Sequence, residues 1–242
     1  HTLGNGGDEG HQRWGMTHNN SVAVHLYIYI FIIATKIRMA SRFIAVLLLV
    51  LCLPLLAILF LGVWWKMGWP VWFAQVRTGQ GGRPFRLWKF RSMHPPNDTQ
   101  TGGHDTSTDA IRTPPFGAWL RQSGLDELPQ LWNIACGDMA FVGPRPLLPR
   151  YDPYYSPRER LRFRVRPGIT GLAQVSGRRA LGWNERLEWD AVYVERASFG
   201  LDIWILWRTL VWALQSRPPE PPIPDLDEQR RVSVHEIGHV PG

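Results

Sequence analysis

The most apolar stretch of the chain runs from Phe43 to Trp65 and contains no charged residue. A helix needs about 20 apolar residues to cross a bilayer, so this stretch is long enough to do so. Pro54 stands near its middle, where a proline removes one helical hydrogen bond and clashes with the preceding turn. The pattern therefore predicts a membrane helix that is broken at Pro54.

Basic residues flank this stretch on both sides. They are Lys36, Arg38 and Arg42 before it, and Lys66, Arg77, Arg83 and Arg86 after it. Because basic flanks stay preferentially on the cytoplasmic side, both ends are expected on the same face of the membrane. We therefore predict a re-entrant helix over residues 39–66 that enters, bends and returns. A single helix that spans the bilayer is the alternative.

The remaining pattern predicts a mixture of helices and a small hairpin. Residues 73–93 read as a basic β-hairpin with a glycine-rich turn at 79–82. Residues 94–115 are polar and predict a loop, whereas 116–134 read as a helix interrupted near Gly124. Residues 181–212 predict two helices, the second dense in tryptophan and suited to a membrane interface. The predicted fold class is α+β, membrane-associated, with interfacial amphipathic helices around the active site.

These elements predict four parts of the chain. Residues 1–38 are expected to be a disordered or non-native extension, because their apolar run is too short to span a bilayer. Residues 39–66 form the membrane helix and 67–216 a catalytic domain. The proline-rich residues 217–242 are expected to be a flexible tail.

The charge of the chain limits the classes of partner. The formal net charge is +7 and the chain holds 13 tryptophans. Such a positive charge predicts an anionic partner, which could be nucleic acid, lipid headgroups or a phosphorylated substrate. Tryptophan favours membrane interfaces, which agrees with the predicted interfacial helices. The two cysteines predict no disulfide framework.

Two adjacent carboxylates, Asp126 and Glu127, are the first candidate site. Neighbouring residues cannot share one helical face, but they can address two objects, such as a substrate phosphorus and a metal ion. A carboxylate is a competent nucleophile toward phosphoryl groups, and Mg²⁺ prefers carboxylates together with substrate phosphates. The alternative is an acidic helix start ahead of Pro129 that complements the helix dipole.

Four basic residues are candidates for binding substrate phosphate: Lys89, Arg91, Arg121 and Arg145. Arg145 lies between two prolines, which hold the backbone rigid around its guanidinium. Arginine suits two-pronged phosphate contacts. Solvated surface charge is the alternative for each of them.

Four segments carry a resemblance to the bacterial sugar transferase family, the monotopic polyprenyl-phosphate phosphoglycosyl transferases. They are KFRSM at 89–93, LDELPQL at 125–131, GDMAFVGPRP at 137–146 and PGITGLAQVSG at 167–177. They occur in the family's order and approximate spacing, and the resemblance covers about residues 42–214. The chain resembles the small catalytic form. It departs from the family at Leu53 and Gly124, where serine is common, and in the loop 94–115.

The resemblance implies a ping-pong transfer of a sugar phosphate. Asp126 would attack the β-phosphate of a UDP-sugar, release UMP and form a covalent phosphosugar-enzyme, from which polyprenyl (undecaprenyl) phosphate would take the phosphosugar. Glu127 would help to hold Mg²⁺, Arg145 and Arg121 would hold phosphate, and Lys89 and Arg91 would be further basic members of the site.

The resemblance also implies a place for the reaction. The expected location is the bacterial plasma membrane, with the catalytic domain on the cytoplasmic face and in contact with lipid. The product would feed glycoconjugate or exopolysaccharide synthesis, and other glycan-assembly enzymes are expected partners.

Two rival functions have sequence support. His235–His239 reads HEIGH, a pattern in which two histidines bind Zn²⁺ in metalloproteases. It lies in the proline-rich tail, contains Gly238 and is followed by no third ligand, which argues against a protease. The five arginines of 158–166 permit nucleic-acid binding, but no nucleic-acid motif accompanies them, so no such partner is expected.

Overall fold

A computed structural model of the protein describes residues 39–94, 112–177, 181–213 and 226. The predictions for residues 1–38, for most of the loop 94–115 and for the HEIGH segment lie outside the described residues. The helices are α1 (Met39–Leu51), α2 (Leu53–Met67), α3 (Pro115–Ser123), α4 (Gln130–Cys136), α5 (Leu172–Ser176), α6 (Trp183–Arg196) and α7 (Phe199–Ala213). The strands are β1 (Trp72–Thr78), β2 (Pro84–Phe90), β3 (Ala140–Val142) and β4 (Gly168–Thr170).

The apolar run forms two helices, α1 and α2, that meet at a bend of 61° at Cys52. Pro54 occupies the first turn of α2, where its missing N–H needs no partner. The bend predicted at Pro54 is thus present, two residues before the proline. Within the described residues no single helix is long and apolar enough to cross a membrane. Only when α1 and α2 are taken together does this bent pair have the necessary length and apolar composition.

Both halves of the bent pair pack against the rest of the protein. Ala45 of α1 is buried beside Leu131 and Ile134 of α4. In α2, Leu59, Val63 and Met67 lie one helical turn apart and form a single buried stripe against the hairpin and α3. Most other side chains of the two helices are exposed and apolar.

The hairpin of β1 and β2 is antiparallel and pairs Trp72 with Phe90 through Thr78 with Pro84. The predicted glycine-rich turn closes it, with Gly81 and Gly82 at positive φ. Trp72 stacks on Phe90, with ring centroids 4.7 Å apart, and Phe90 is fully buried against α2 and α3. The hairpin predicted from the sequence is confirmed.

A second sheet was not predicted from the sequence. β3 and β4 form a short parallel pair in which Ala140 lies beside Gly168 and Val142 beside Thr170. The backbones approach so closely that a side chain at Gly168 would collide with the main chain of Val142 and Gly143. This pairing fixes the segment that follows β3, which carries Arg145.

The two helices predicted over 181–212 are α6 and α7. Tyr193 of α6 donates a hydrogen bond to Asp202 of α7 at 2.8 Å. Only Ile205 of α7 is buried, whereas Phe199, Trp204, Trp207 and Leu210 are exposed. Leu226, within the tail predicted to be flexible, is buried against Tyr151, Trp183 and neighbouring residues.

Candidate active site

The two carboxylates lie in a short 3₁₀ turn, Leu125–Glu127, between α3 and α4. Gly124 ends α3 in the left-handed conformation, with φ of 72°, and its N–H donates to the carbonyl of Arg121. Glycine adopts this conformation without the strain that a Cβ brings, so the departure at Gly124 supports a sharp helix end. The interruption of the helix near Gly124 is therefore confirmed.

Asp126 is buried, with 5% of its surface exposed. Burial, followed by the charge of Glu127, raises the pKa of Asp126 to about 6, against the opposing charges of Lys89, Arg145 and Arg121. A solvated carboxylate at the start of a helix would show no such burial. The burial of Asp126 thus argues against the alternative in which the two carboxylates only complement the dipole of a helix.

Glu127 forms an ion pair with Arg145. The guanidinium of Arg145 donates from Nη2 to Oε1 at 2.5 Å and from Nη1 to Oε2 at 3.4 Å. The charge of Glu127 raises the pKa of Arg145. The adjacent carboxylates therefore have different surroundings.

Arg162 fixes the backbone of the segment around Arg145. The Nη2 atom of Arg162 donates to the carbonyl of Arg145 at 2.5 Å and forms an ion pair with Asp190 at 3.2 Å. Its Nη1 atom donates to the hydroxyl of Tyr155. Arg162 and Asp190 are both buried. A cation fixed in this way positions the backbone that carries Arg145, a role that the arginine-rich pattern of 158–166 did not reveal.

Lys89 lies on β2 directly opposite Phe73, and its Nζ atom is 5.4 Å from the centre of that ring. Burial lowers the pKa of Lys89, while the negative charges of Glu127 and Asp126 oppose the change. Arg121 is on the last turn of α3, and its charge lowers the pKa of Asp126. The structure thus gathers Lys89, Arg121 and Arg145 around the two carboxylates.

Arg91 is directed elsewhere, which corrects its grouping with the phosphate-binding residues. Its buried guanidinium donates to the carbonyls of Met67, Gly68 and Trp69 at the end of α2. The last carbonyls of a helix have no partner within the helix, and a cation there also complements the helix dipole. Arginine carries the same donors for a carbonyl cluster as for a phosphate, so the sequence alone could not separate the two uses.

Replacing Arg91 by methionine is expected to lower the free energy of unfolding by about 2–3 kcal/mol, because buried carbonyls of α2 lose their donors. The measurement is thermal unfolding in detergent without any nucleotide. Arg86→Met on β2, five residues before Arg91, is the matched control, because Arg86 is exposed. Equal stability of the two variants would contradict the capping role.

Mg²⁺ was expected at Glu127, and the chemistry of the donors fits. Within the described ranges no three metal-binding side chains cluster, but Mg²⁺ commonly takes one or two carboxylates and completes its shell with water and substrate phosphate. Asp126 and Glu127 supply that number. Both oxygens of Glu127 already accept from Arg145, so the metal would share this carboxylate with the guanidinium.

Arg77 is a basic residue of the site that sequence reasoning missed. It lies on β1, where side chains two residues apart share one face, so Phe73, Gln75 and Arg77 point the same way. Lys89 faces the same side, because it is opposite Phe73. Burial, followed by the charge of Arg145, lowers the pKa of Arg77 to about 10. The alternation of side-chain directions along the predicted hairpin could have indicated from the sequence that Arg77 shares a face with Lys89.

Known proteins with similar sequences match most of the chain. A family model described as bacterial sugar transferase matches residues 33–216. The uncharacterized sugar transferase EpsL of Bacillus subtilis is 45% identical over 60% of this chain and 70% of its own length.

Two further relatives share a name that states an activity. A UDP-glucose:undecaprenyl-phosphate glucose-1-phosphate transferase of Xanthomonas campestris is 37% identical over 76% of this chain, and the match spans 39% of that protein. A protein of the same name from Caulobacter vibrioides is 39% identical over 72% of this chain and 65% of its own length. With the matching family model, these likenesses show that the chain belongs to the bacterial sugar transferase family.

Proposed function

We propose that the protein is a phosphoglycosyl transferase that moves a sugar phosphate from a UDP-sugar to polyprenyl phosphate. The main support is the pair of adjacent carboxylates in unlike surroundings, Asp126 buried beside basic groups and Glu127 paired with Arg145. Family membership and the names of the relatives from Xanthomonas and Caulobacter point to the same reaction.

The proposed reaction has two displacements at one phosphorus. An oxygen of Asp126 attacks the β-phosphorus of the UDP-sugar, and the bond from that phosphorus to the bridging oxygen breaks. UMP leaves with the electron pair. An oxygen of polyprenyl phosphate then attacks the same phosphorus and releases the carboxylate of Asp126, which yields a polyprenyl diphosphate-sugar.

The surrounding residues would stabilise the charge that develops in these steps. The charges of Lys89 and Arg121 act on Asp126, and these two residues would contact the phosphoryl oxygens, while Arg145 would contact phosphate beside Glu127. Glu127 would hold Mg²⁺, which supplies further charge neutralisation when it is bound.

The test is UMP release from a panel of UDP-sugars that begins with UDP-glucose, with Mg²⁺ and undecaprenyl phosphate present. The parent is compared with Asp126→Asn. Lipid-dependent UMP release by the parent and its loss in the variant would support the reaction and name the sugar. A folded, membrane-bound parent that releases no UMP from any sugar of the panel would contradict it.

We further propose that α1 and α2 form a re-entrant membrane anchor and that the site lies at the cytoplasmic face. Arg42 at the start of α1 donates from Nε to the carbonyl of Ala135 at 2.9 Å, and Arg91 caps the end of α2. Both ends of the bent pair thus contact the same catalytic domain, which favours one face of the bilayer for both. The exposed apolar side chains of α1, α2 and α7 suit contact with lipid.

Single cysteines at the two ends of the anchor test this topology. In a background with Cys52 and Cys136 replaced by serine, Ala40→Cys and Arg83→Cys are both expected to react with a membrane-impermeant thiol reagent in inside-out vesicles. Both should be protected in right-side-out vesicles, since Ala40 lies at the start of the anchor and Arg83 follows its end. Opposite labelling of the two positions would instead indicate a helix that spans the bilayer.

A further inference from the structure

Arg77 stands out because one of its donor atoms has no acceptor among the described residues. Its Nη2 atom donates to Oε1 of Gln75 at 2.6 Å. Its Nε atom is buried and has no hydrogen-bond partner within the described part of the chain. A buried donor that lacks an acceptor costs free energy, and a second cation beside a partly buried one adds to that cost.

Arg77 lies next to the segment that carries Arg145. The N–H of the following residue, Thr78, donates to the carbonyl of Leu147 at 3.1 Å, which ties the end of β1 to this segment. Thr78 and Gly79 line a shallow cleft together with Arg145 and Arg162. The charges of Arg145 and Glu127 both act on Arg77, so the two guanidinium groups flank the same side of the site.

Arg145 is bonded directly to one of the two carboxylates. The charges of Lys89, Arg145 and Arg121 all act on Asp126, the proposed nucleophile, but Arg145 also forms an ion pair with Glu127. In an in-line displacement the leaving group departs on the side of the phosphorus opposite the nucleophile. A pair of arginines at Glu127 therefore suits the phosphate that departs.

We propose that Arg77 and Arg145 form a subsite for the phosphate that stays with the leaving nucleotide, which Gln75 helps to orient. This inference rests on the proposed function for the identity of the nucleotide. A phosphate at this place would accept from the buried Nε atom of Arg77 and would balance the two positive charges. Arginine provides the planar pair of donors that such an oxyanion requires.

The test is equilibrium binding of UMP, which carries only the phosphate in question. Arg77→Gln is expected to weaken UMP binding by about 10- to 100-fold, because a hydrogen bond to a charged group is lost. The KM for the UDP-sugar should rise in parallel. Arg83→Gln is the matched control, since it removes one exposed arginine from the same hairpin, and it should bind UMP as the parent does.

Thermal unfolding without ligand separates binding from a structural role. Arg77→Gln should be at least as stable as the parent when UMP is absent, because the buried Nε donor without an acceptor is removed, but it should gain little stability when UMP is added. Unchanged UMP affinity in Arg77→Gln would overturn the subsite. If that variant does not fold, Arg77→Lys gives the same comparison, because it keeps the charge without the planar fork.

The proposed subsite and the proposed function can be tested independently. A parent that binds UMP but transfers no sugar phosphate would contradict the reaction, while the Arg77 comparison would still decide the subsite. An active parent whose Arg77→Gln variant keeps the same UMP affinity and KM would overturn the subsite alone.

Discussion

Replacing Asp126 by asparagine is expected to reduce UMP release by about 10³-fold or more, because the amide cannot form the covalent intermediate. The change keeps the size of the side chain in its buried position. UMP release is measured with UDP-sugar and undecaprenyl phosphate at saturating concentrations. A variant that retains a tenth or more of the parental rate, as an order of magnitude, would exclude Asp126 as the nucleophile.

The same variant is expected to be more stable than the parent at neutral pH. Because the pKa of Asp126 is raised to about 6 by burial and by Glu127, the ionised carboxylate costs the folded state free energy. Asparagine removes that cost, which is up to about 3 kcal/mol. The gain should be complete above pH 6 and should vanish as the pH falls below the ordinary pKa of an aspartate, where both side chains are neutral.

The raised pKa also predicts the pH dependence of the first displacement. Asp126 must be ionised to attack, so the single-turnover rate of UMP release should fall as the pH drops through about 6. Thermal unfolding of the parent and Asp126→Asn across the same pH range provides the stability comparison. A rate that stays constant down to pH 4, while the protein remains folded, would show that this carboxylate is not the titrating group.

Replacing Arg145 by lysine is the second change with a large expected effect. Lysine keeps the positive charge but cannot form the two-pronged contact with Glu127 or with a phosphate. We expect kcat/KM for the UDP-sugar to fall by about 10²-fold, as for the loss of one preorganised donor in other enzymes. The measurement is initial UMP release over a range of UDP-sugar concentrations.

Arg158→Lys is the matched control for Arg145→Lys. Arg158 also makes a two-pronged contact, with Glu188, at 2.7 and 2.6 Å, but this ion pair is exposed. Exposed ion pairs contribute little to stability, so this variant should keep the parental rate. Equal losses in both variants would indicate a general effect of removing an arginine fork and would contradict a specific role for Arg145.

The elements that sequence analysis predicted are those with strong local signals. The uninterrupted apolar run with Pro54 indicated the bent helix pair, and the glycines at 79–82 indicated the hairpin turn. The change of direction at Gly124 was visible because glycine ends helices in the left-handed conformation. Each of these features depends on residues that are neighbours in the chain.

The features that escaped prediction depend on distant pairings. β3 and β4 each have three residues and are separated by 25 others, so no local pattern reports their contact. Arg91 was grouped with the phosphate ligands because its donors suit carbonyls and phosphates alike. Arg77 was missed because its proximity to Arg145 follows from the hydrogen bond between Thr78 and Leu147.

The most direct test of the central claim is the mass of the intact protein after incubation with the UDP-sugar and Mg²⁺ without lipid acceptor. The proposed mechanism predicts an increase by one sugar phosphate, located on Asp126 by peptide mapping, which disappears when undecaprenyl phosphate is added. An unmodified parent that nevertheless turns over with both substrates, or a modified Asp126→Asn variant, would contradict a covalent intermediate on Asp126.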